Sequence, residues 1–503
     1  MMSMGVSLMT PQPSRPLGDL LDTLPAHILT GSSDCLVQGV VADSRQVAPG
    51  TLFVAVRGLS ADGHQFLGDA LDQGAAALVV EELPPPLEAR VRRETCTVVQ
   101  VPQSRLALAK MACAYYGQPS RHLRLVGITG TNGKTTTTYV LESILQAAGM
   151  SVGVIGTVDY RFGDHRLPAP QTTPDAVCLQ SLLQQMQLEG TSHAVMEVSS
   201  HAIDQHRVTG CEFDACVFTN LSRDHYDYHG SESAYFEAKA RLFADFPGAR
   251  NVLNVDDPYG QQLRDTSPSH ALTYGIDSEA SLTPRALDHG LNGIRFTLPT
   301  AKGQLEIRSA LVGRHNVYNL LAGVATAIAL DIDADAITQG IAQLAQVPGR
   351  LERIDADQAF HVFVDYAHTP DALEQVLRQV RAETHGRFIS VFGCGGDRDA
   401  GKRPLMGQVA TSISDYSVIT SDNPRTEEPH RIIADIVAGV DPSREYTTIV
   451  DRREAIEYAV SIAQPHDTVV IAGKGHEDYQ IIGQTRRHFD DREVAYDALR
   501  NRR

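Results

Sequence analysis

The sequence predicts an α/β protein of three domains, and three observations carry that prediction. First, 503 residues exceed what one hydrophobic core ordinarily organises and suit about three domains of roughly 150 residues. Second, apolar, β-branched runs alternate with helix-like stretches, as a mainly parallel sheet with helices on both faces requires. Third, the pattern changes character near Gln103 and again at Val347-Pro348-Gly349. The segment 1–103 reads as a small α/β domain, with short runs such as TLFVAVRG and ALVVEEL punctuated by Gly and by Pro84-Pro85-Pro86. In 104–347 the helix-like RLALAKMACAYYG leads through Pro119 into the strand-like LRLVGIT, and strand and helix patterns alternate to about Leu344. In 348–503 the runs HVFVDY, RFISVFG, DYSVITS and DTVVIAG, each followed by a helix-like segment, predict a Rossmann-type sheet.

Composition narrows the function. Hydrophobic residues at 42% with charged residues at 21% suit a globular protein, and no apolar run approaches the roughly 20 residues that span a bilayer. The first twenty residues lack a basic region followed by an apolar core, so a cytoplasmic location is expected. A formal net charge of -17 argues against general nucleic-acid binding, which needs clustered Lys and Arg. The seven cysteines form no C-x-x-C pair, which predicts small core residues rather than disulfides or zinc knuckles. No repeat of fixed period suggests a solenoid.

In sheets of this kind ligands sit beyond the carboxyl ends of the strands, and the unusual polar residues fall there. In LRLVGITGTNGKTTTTYVLESIL a strand runs into Gly130-Thr131-Asn132-Gly133-Lys134-Thr135-Thr136 and then a helix. Such a turn aims backbone N–H groups and a helix dipole at phosphates. Lys134 would neutralise the β and γ phosphates and Thr135 would offer a hydroxyl to Mg²⁺. The generic phosphate-loop pattern is not met, because Ile128 stands where it requires glycine. The variant loop resembles that of the Mur ligases and folylpolyglutamate synthetases, which join a carboxylate to an amine at the expense of ATP.

Several residues gain meaning only from that resemblance. Glu197 ends a buried strand in HAVMEVSSH, and His225 follows ACVFTNL in NLSRDHYDYHGS. Singly, each suits a structural role as well as a ligand. In the Mur ligases the matching Glu and His hold Mg²⁺. Lys239 in SAYFEAKARLF reads unaided as an exposed lysine; its family counterpart is carbamylated by CO₂, and the carbamate positions a second Mg²⁺. Asn316 and Asn319 in GRHNVYNLL share a helical face and read unaided as helix-start caps. The resemblance makes them, with Arg350 and Asp365, residues of the ATP site or of the domain boundary. The catalytic set implied is Lys134, Glu197, His225, Lys239, Asn316, Arg350 and Asp365, with Thr135, Glu197, His225 and carbamylated Lys239 at two Mg²⁺ ions.

For the substrates, ADSRQVAPGTLFVAVRGLSADGHQF resembles the segment that holds UDP, which places Ala42, Ser44, Leu59, Ser60 and Ala61 at the uridine. Gln171, Thr172, Thr173, Ser199, Gln205 and Arg207 map onto contacts with the muramoyl peptide and its phosphates. SDNPRTEEP supplies Asp422, Asn423, Pro424 and Arg425. Aspartate can hold an ammonium group while arginine grips a carboxylate, as an amino acid with two amino-acid centres needs. By itself D-N-P-R is also an ordinary turn. It resembles the diaminopimelate motif of the family, which Arg398, Gly473 and Glu477 complete. The resemblance thus implies a monomeric ligase with a UDP-binding N-terminal domain, a P-loop-type ATPase domain and a Rossmann-like domain. It would join meso-2,6-diaminopimelate to UDP-N-acetylmuramoyl-L-alanyl-D-glutamate through an acyl phosphate, with domain closure excluding water. Three alternatives remain at this point: the same reaction with L-lysine, a folylpolyglutamate-type ligase, and a P-loop switch or motor.

Overall fold

Successive residues of a strand face opposite sides of its sheet, so a strand apolar at every position needs cover on both faces. Thr51–Val54 and Ala77–Val80 are buried throughout, and their residues divide accordingly. Leu52, Val54, Ala77 and Val79 pack with Leu108, Met111 and Tyr115, while Phe53, Leu78 and Val80 pack with Leu67, Leu71 and Val91 on the other side. The computed structural model describes residues 13–22, 24–58, 61–94, 96–266 and 271–502. It is α/β throughout and forms two compact units, Met1–Ser281 with Ala322–Asp333, and Leu282–Leu321 with Ala334–Arg503.

The first unit holds two main sheets. The N-terminal sheet runs His27–Thr30, Thr97–Gln100, Ala77–Val80, Thr51–Val54, Gly39–Val41, parallel except for its first strand. The prolines after Ala77–Val80 begin a helix rather than break the chain, since Pro85 and Pro86 occupy the first turn of Pro85–Arg93, where no N–H is needed. The eight-stranded central sheet has Arg124–Thr129 between His193–Glu197 and Ala215–Phe218, all parallel. Its register pairs Ile128 with Glu197 and Thr129 with Phe218. The phosphate-type loop, Glu197 and the Thr219–Asn220 turn therefore emerge at one edge, where the strand order reverses.

The second unit departs from the sequence reading in two places. The alternation of strand and helix stops short of Leu344: Arg285–Gly290, Gly293–Thr300 and Gly303–Ser309 form an antiparallel sheet. Gly303–Ser309 alternates exposed and buried positions, the pattern of a sheet with one wet face. The main sheet runs Glu352–Arg353, His361–Asp365, Thr468–Ala472, Phe388–Cys394, Tyr416–Ser421, Tyr446–Thr448, parallel except for its first strand. Helices follow three of the four runs read as Rossmann strands, but Thr468–Ala472 leads into the ribbon Tyr479–Ile482/Thr485–His488 before Asp491–Asn501 turns helical. No helix among the described residues is long and apolar enough to cross a membrane.

One buried ion pair ties this sheet together. Arg452 and Asp491 are fully buried and joined by two hydrogen bonds of 2.8 and 2.6 Å. Arg452 also donates to Ser421 O at 3.3 Å and Ala472 O at 2.9 Å, the last residues of two strands separated by Phe388–Cys394. Asp491→Ala strands the guanidinium, and a loss of about 3–5 kcal/mol in denaturant unfolding is expected. Arg452→Leu/Asp491→Leu, which removes both charges, should cost less than the single change.

Candidate active site

The loop at the end of Arg124–Thr129 has the shape of a phosphate cradle because its glycines permit it. Gly130 has φ +147°, and a Cβ there would lie 1.9 Å from Thr219 Oγ1 and 3.0 Å from Asn220 N. Gly133, at φ +86°, caps the helix Lys134–Ala147 in the left-handed region. The facing turn anchors the loop: Asn132 N donates to Asn220 Oδ1 at 2.9 Å, Thr131 N to Asn220 O at 2.8 Å, and Thr219 Oγ1 to Asn132 O at 2.6 Å. Lys134 Nζ donates to Gly130 O at 2.9 Å and Thr131 O at 2.8 Å. Thr219 and Asn220 were not singled out in the sequence; their signal was the polar pair closing the apolar run ACVFTN.

Glu197 is 1% exposed and held from several sides. Oε2 accepts from Thr135 Oγ1 and Thr157 Oγ1, both at 3.0 Å, and Oε1 from Thr157 N at 2.9 Å. Thr157 is another residue the sequence reading missed. Lys239 is not the exposed lysine its helix pattern suggests. It is 1% exposed, its Nζ donates to Gly130 O at 2.9 Å and lies 4.5 Å from the Tyr235 ring centre. Burial and the nearby Lys134 ammonium push its pKa well below the ordinary lysine value, with Asp224 opposing. His225 flanks the same tyrosine, 6.1 Å between ring centres, and packs edge-on against His201 at 4.7 Å. Burial lowers its pKa, against Asp224 and with Lys134 and Lys239. His201 is pushed down to about 4, by burial first. Among the described residues no group of three or more His, Cys, Asp or Glu is arranged to hold a metal.

Beyond Glu197 the expected peptide-binding residues form one network. Thr173 Oγ1 donates to Glu197 O at 2.8 Å and accepts from Ser199 N at 3.0 Å. Thr172 Oγ1 is 3.1 Å from Thr157 Oγ1. Arg207 Nη1 donates to Gln171 Oε1 at 2.5 Å and Thr173 O at 2.8 Å, and Nη2 to Gln205 Oε1 at 2.9 Å. Ser199 caps Ser200–Asp204. In the N-terminal sheet, Ala42 and Ser44 follow the strand Gly39–Val41, and Ala61 closes a loop after its neighbour Thr51–Val54 by accepting from Gly58 N at 2.8 Å. Leu59 and Ser60 lie outside the described residues.

In the second unit Asp422, Asn423, Gly473 and Glu477 converge at the ends of two sheet strands. Asn423 Nδ2 donates to Glu477 Oε2 at 3.1 Å. Arg425, at φ +52°, is pinned through its backbone to Ile481 O and Gly483 N, and its Nη1 donates to Gly396 O at 2.7 Å. Gly395 stands between Arg425 and Arg398: a Cβ there would be 2.9 Å from Arg425 Nη1 and 3.8 Å from Arg398 Cγ. Gly396 faces Pro424, whose O would meet its Cβ at 1.9 Å. Burial raises the pKa of Glu477. Lys474, fully buried, sits among these residues; a lysine between two glycines at a strand end was the available signal. Elsewhere in the unit, Asp365 accepts from Leu351 N and Ala367 N, both at 2.8 Å, beside Arg350, which lies over Tyr366. Asn316 and Asn319 are not caps: both are buried within Arg314–Ala329, linked to each other at 2.8 Å, and Asn316 ties back to Val312 O.

Three family models cover most of the chain: Mur ligase family, catalytic domain, over residues 36–116, Mur ligase middle domain over 128–327, and Mur ligase, glutamate ligase domain over 349–475. The chain belongs to the Mur ligase family. This Mur ligase is 46% identical to the UDP-N-acetylmuramoyl-L-alanyl-D-glutamate--2,6-diaminopimelate ligase of Geobacter metallireducens, over 96% of this chain and 98% of that one. It is 48% identical to the protein of the same name from Gloeobacter violaceus, over 93% and 95%. A solved structure of such a ligase is 35% identical and superposes with a TM-score of 0.71 over 97% of this chain and 99% of that one. The protein is thus an ATP-dependent peptide ligase with the family's three-part α/β architecture. In this Mur ligase Gly130→Ala drives a methyl group into Thr219. A stability loss of about 1–3 kcal/mol is expected, with nucleotide-dependent phosphate release falling further than the loss of folded protein explains.

Proposed function

We propose that the chain ligates meso-2,6-diaminopimelate to UDP-N-acetylmuramoyl-L-alanyl-D-glutamate at the expense of ATP, giving the UDP-tripeptide, ADP and phosphate. The carrying observation is that Arg425, Asn423 and Glu477 converge at one strand-end site in a chain whose full-length relatives bear that name. A lysine-adding enzyme would need no guanidinium there. The D-glutamyl γ-carboxylate attacks the γ phosphorus of ATP, ADP leaves, and an acyl phosphate forms. The amine then attacks the acyl carbon, loses a proton, and phosphate departs. Loop N–H groups from Gly130 to Thr136, with Lys134, hold the transferred phosphoryl group. Arg207 and its partners Gln171, Thr173 and Gln205 orient the acceptor peptide, and Ala42, Ser44 and the loop ending at Ala61, with Leu59 and Ser60, take the uridine. Asn316, Asn319, Arg350 and Asp365 serve the nucleotide. The segments 1–103, 104–347 and 348–503 are read as the UDP, ATP and amino-acid domains of a cytoplasmic monomer.

The donors in the first unit fit Mg²⁺, which prefers oxygen ligands and keeps substrate phosphates and water in its shell. Thr135 and Glu197 offer a hydroxyl beside a carboxylate; His225 and Lys239 flank one tyrosine ring. A carbamate on Lys239, which is buried beside Lys134, would add a second anion to this set. When bound, the two ions would neutralise the phosphates and the carboxylate as they approach. The depressed pKa of Lys239 favours the neutral amine that adds to CO₂.

Phosphate release with ATP, Mg²⁺ and the UDP-dipeptide should require meso-diaminopimelate; turnover with L-lysine instead overturns the amine, and turnover needing neither supports a switch or motor. Arg425→Ala should lower kcat/KM for diaminopimelate about 10- to 150-fold, the worth of a charged hydrogen bond, while hydroxylamine still traps the acyl phosphate. Protein equilibrated with ¹³C-bicarbonate should give a carbamate resonance that Lys239→Met abolishes. A spectrum without that resonance rejects the modification.

A further inference from the structure

Lys474 takes no part in the mechanism above, yet it is fully buried between Gly473 and Gly475 at the end of Thr468–Ala472. Its Nζ lies 3.2 Å from Asn423 Oδ1, 3.4 Å from Asp422 Oδ1 and 3.5 Å from Glu477 Oε2. A buried ammonium needs such acceptors; what matters here is what it does to them. An amide side chain fits its density of contacts either way round until donors choose its oxygen. Lys474 Nζ and Ile481 N, at 3.0 Å, both donate to Asn423 Oδ1. The Asn423 NH₂ must then face Glu477, and Nδ2 donates to Oε2 at 3.1 Å. Glu477 Oε2 is thus engaged by the amide and approached by the ammonium, which sets the plane of the carboxylate.

The two carboxylates around Lys474 differ in access. Asp422 is 11% exposed at its side chain, Glu477 19%. Asp422 Oδ2 and Arg452 Nη2 each lie 3.7 Å from where a Cβ on Gly473 would stand, and the Asp422 charge already acts on the buried Arg452. Glu477 is therefore the carboxylate an incoming cation meets.

We propose that Lys474 is a positioning residue for the amino-acid substrate: it fixes the Asn423 amide and the Glu477 carboxylate in the orientation that receives the ammonium group at the far end of a diamino acid. This rests on the diaminopimelate reading. Glu477 is faced by Lys474, Asp422, Asn423, Arg452, Tyr366 and Tyr479. Burial raises its pKa, Asp422 adds to the rise, and Lys474 and Asn423 oppose it. Without Lys474 the pKa rises further, so the carboxylate is neutralised at a higher pH and stops attracting ammonium there.

Steady-state kinetics of wild type, Lys474→Met, Glu477→Gln and Lys474→Met/Glu477→Gln test this. Lys474→Met should raise KM for diaminopimelate about tenfold or more, the scale of a charged hydrogen bond, with little change for ATP and the UDP-dipeptide. Its acid limb in kcat/KM for diaminopimelate should move to higher pH. The double variant, which also removes one of the two stranded carboxylates should the single variant fold poorly, should match Glu477→Gln in KM and pH profile. An unchanged diaminopimelate KM, an equal rise in all three KM values, or a double variant worse than Glu477→Gln by the full Lys474→Met factor overturns the proposal. Wild type that turns over without diaminopimelate overturns the underlying function first, and this inference with it.

Discussion

The carbonyl oxygen of Gly130 is the constraint on which the first unit turns. Two lysines, Lys134 and Lys239, each donate to it at 2.9 Å, so two cationic side chains are brought to one point beside a helix N-terminus. A side chain at residue 130 would collide with Thr219, and it is the missing Cβ that lets the loop pack on the facing turn. Repulsion between like charges and the loss of water then act on Lys239 together. The same approach that makes a phosphate cradle leaves one of its lysines with a weakened hold on its proton.

The register of the central sheet makes this convergence possible. With Ile128 paired to Glu197 and Thr129 to Phe218, three adjacent parallel strands end level, and their next residues meet without long loops. Glu197 gathers Thr135 and Thr157 from two different strand ends. Its backbone carbonyl anchors Thr173, whose neighbour in the network is Arg207. A shift of one residue in the strand His193–Glu197 would turn Glu197 to the other face of the sheet and disconnect the phosphate loop from the acceptor network.

Strand patterns, the helix at Lys134 and the polar residues at strand ends were legible in the sequence because each depends on local periodicity or on glycine and capping chemistry. The antiparallel sheet of 285–309 was folded into the expected alternation, since its turns and its half-wet strands carry weaker local signals than buried parallel runs. Lys239 shows the limit most plainly. In its helix, Glu232–Ala244, the charged residues Glu237 and Arg241 stand two positions to either side of it, and only long-range packing makes the lysine buried. Lys474 was hidden for the same reason: its partners Asp422 and Asn423 follow a strand some fifty residues away. The family resemblance pointed to Lys239 where periodicity did not, but gave no reason to look at Lys474.

Among the described residues each unit thus buries one lysine whose nitrogen reaches the carboxyl edge of a mainly parallel sheet, and the surroundings decide its use. Around Lys239 the hydrogen-bond acceptor is a neutral carbonyl and the charge of Lys134 outweighs that of Asp224, so burial is left largely uncompensated and the amine is made available for chemistry. Around Lys474 two carboxylates and an amide oxygen stand within 3.5 Å, so its burial is compensated and the ammonium serves as a fixed point that orients others. The difference does not lie in helix or strand, exposure or residue type, all of which a sequence pattern can suggest. It lies in which residues, distant in the chain, the sheet order brings to the nitrogen.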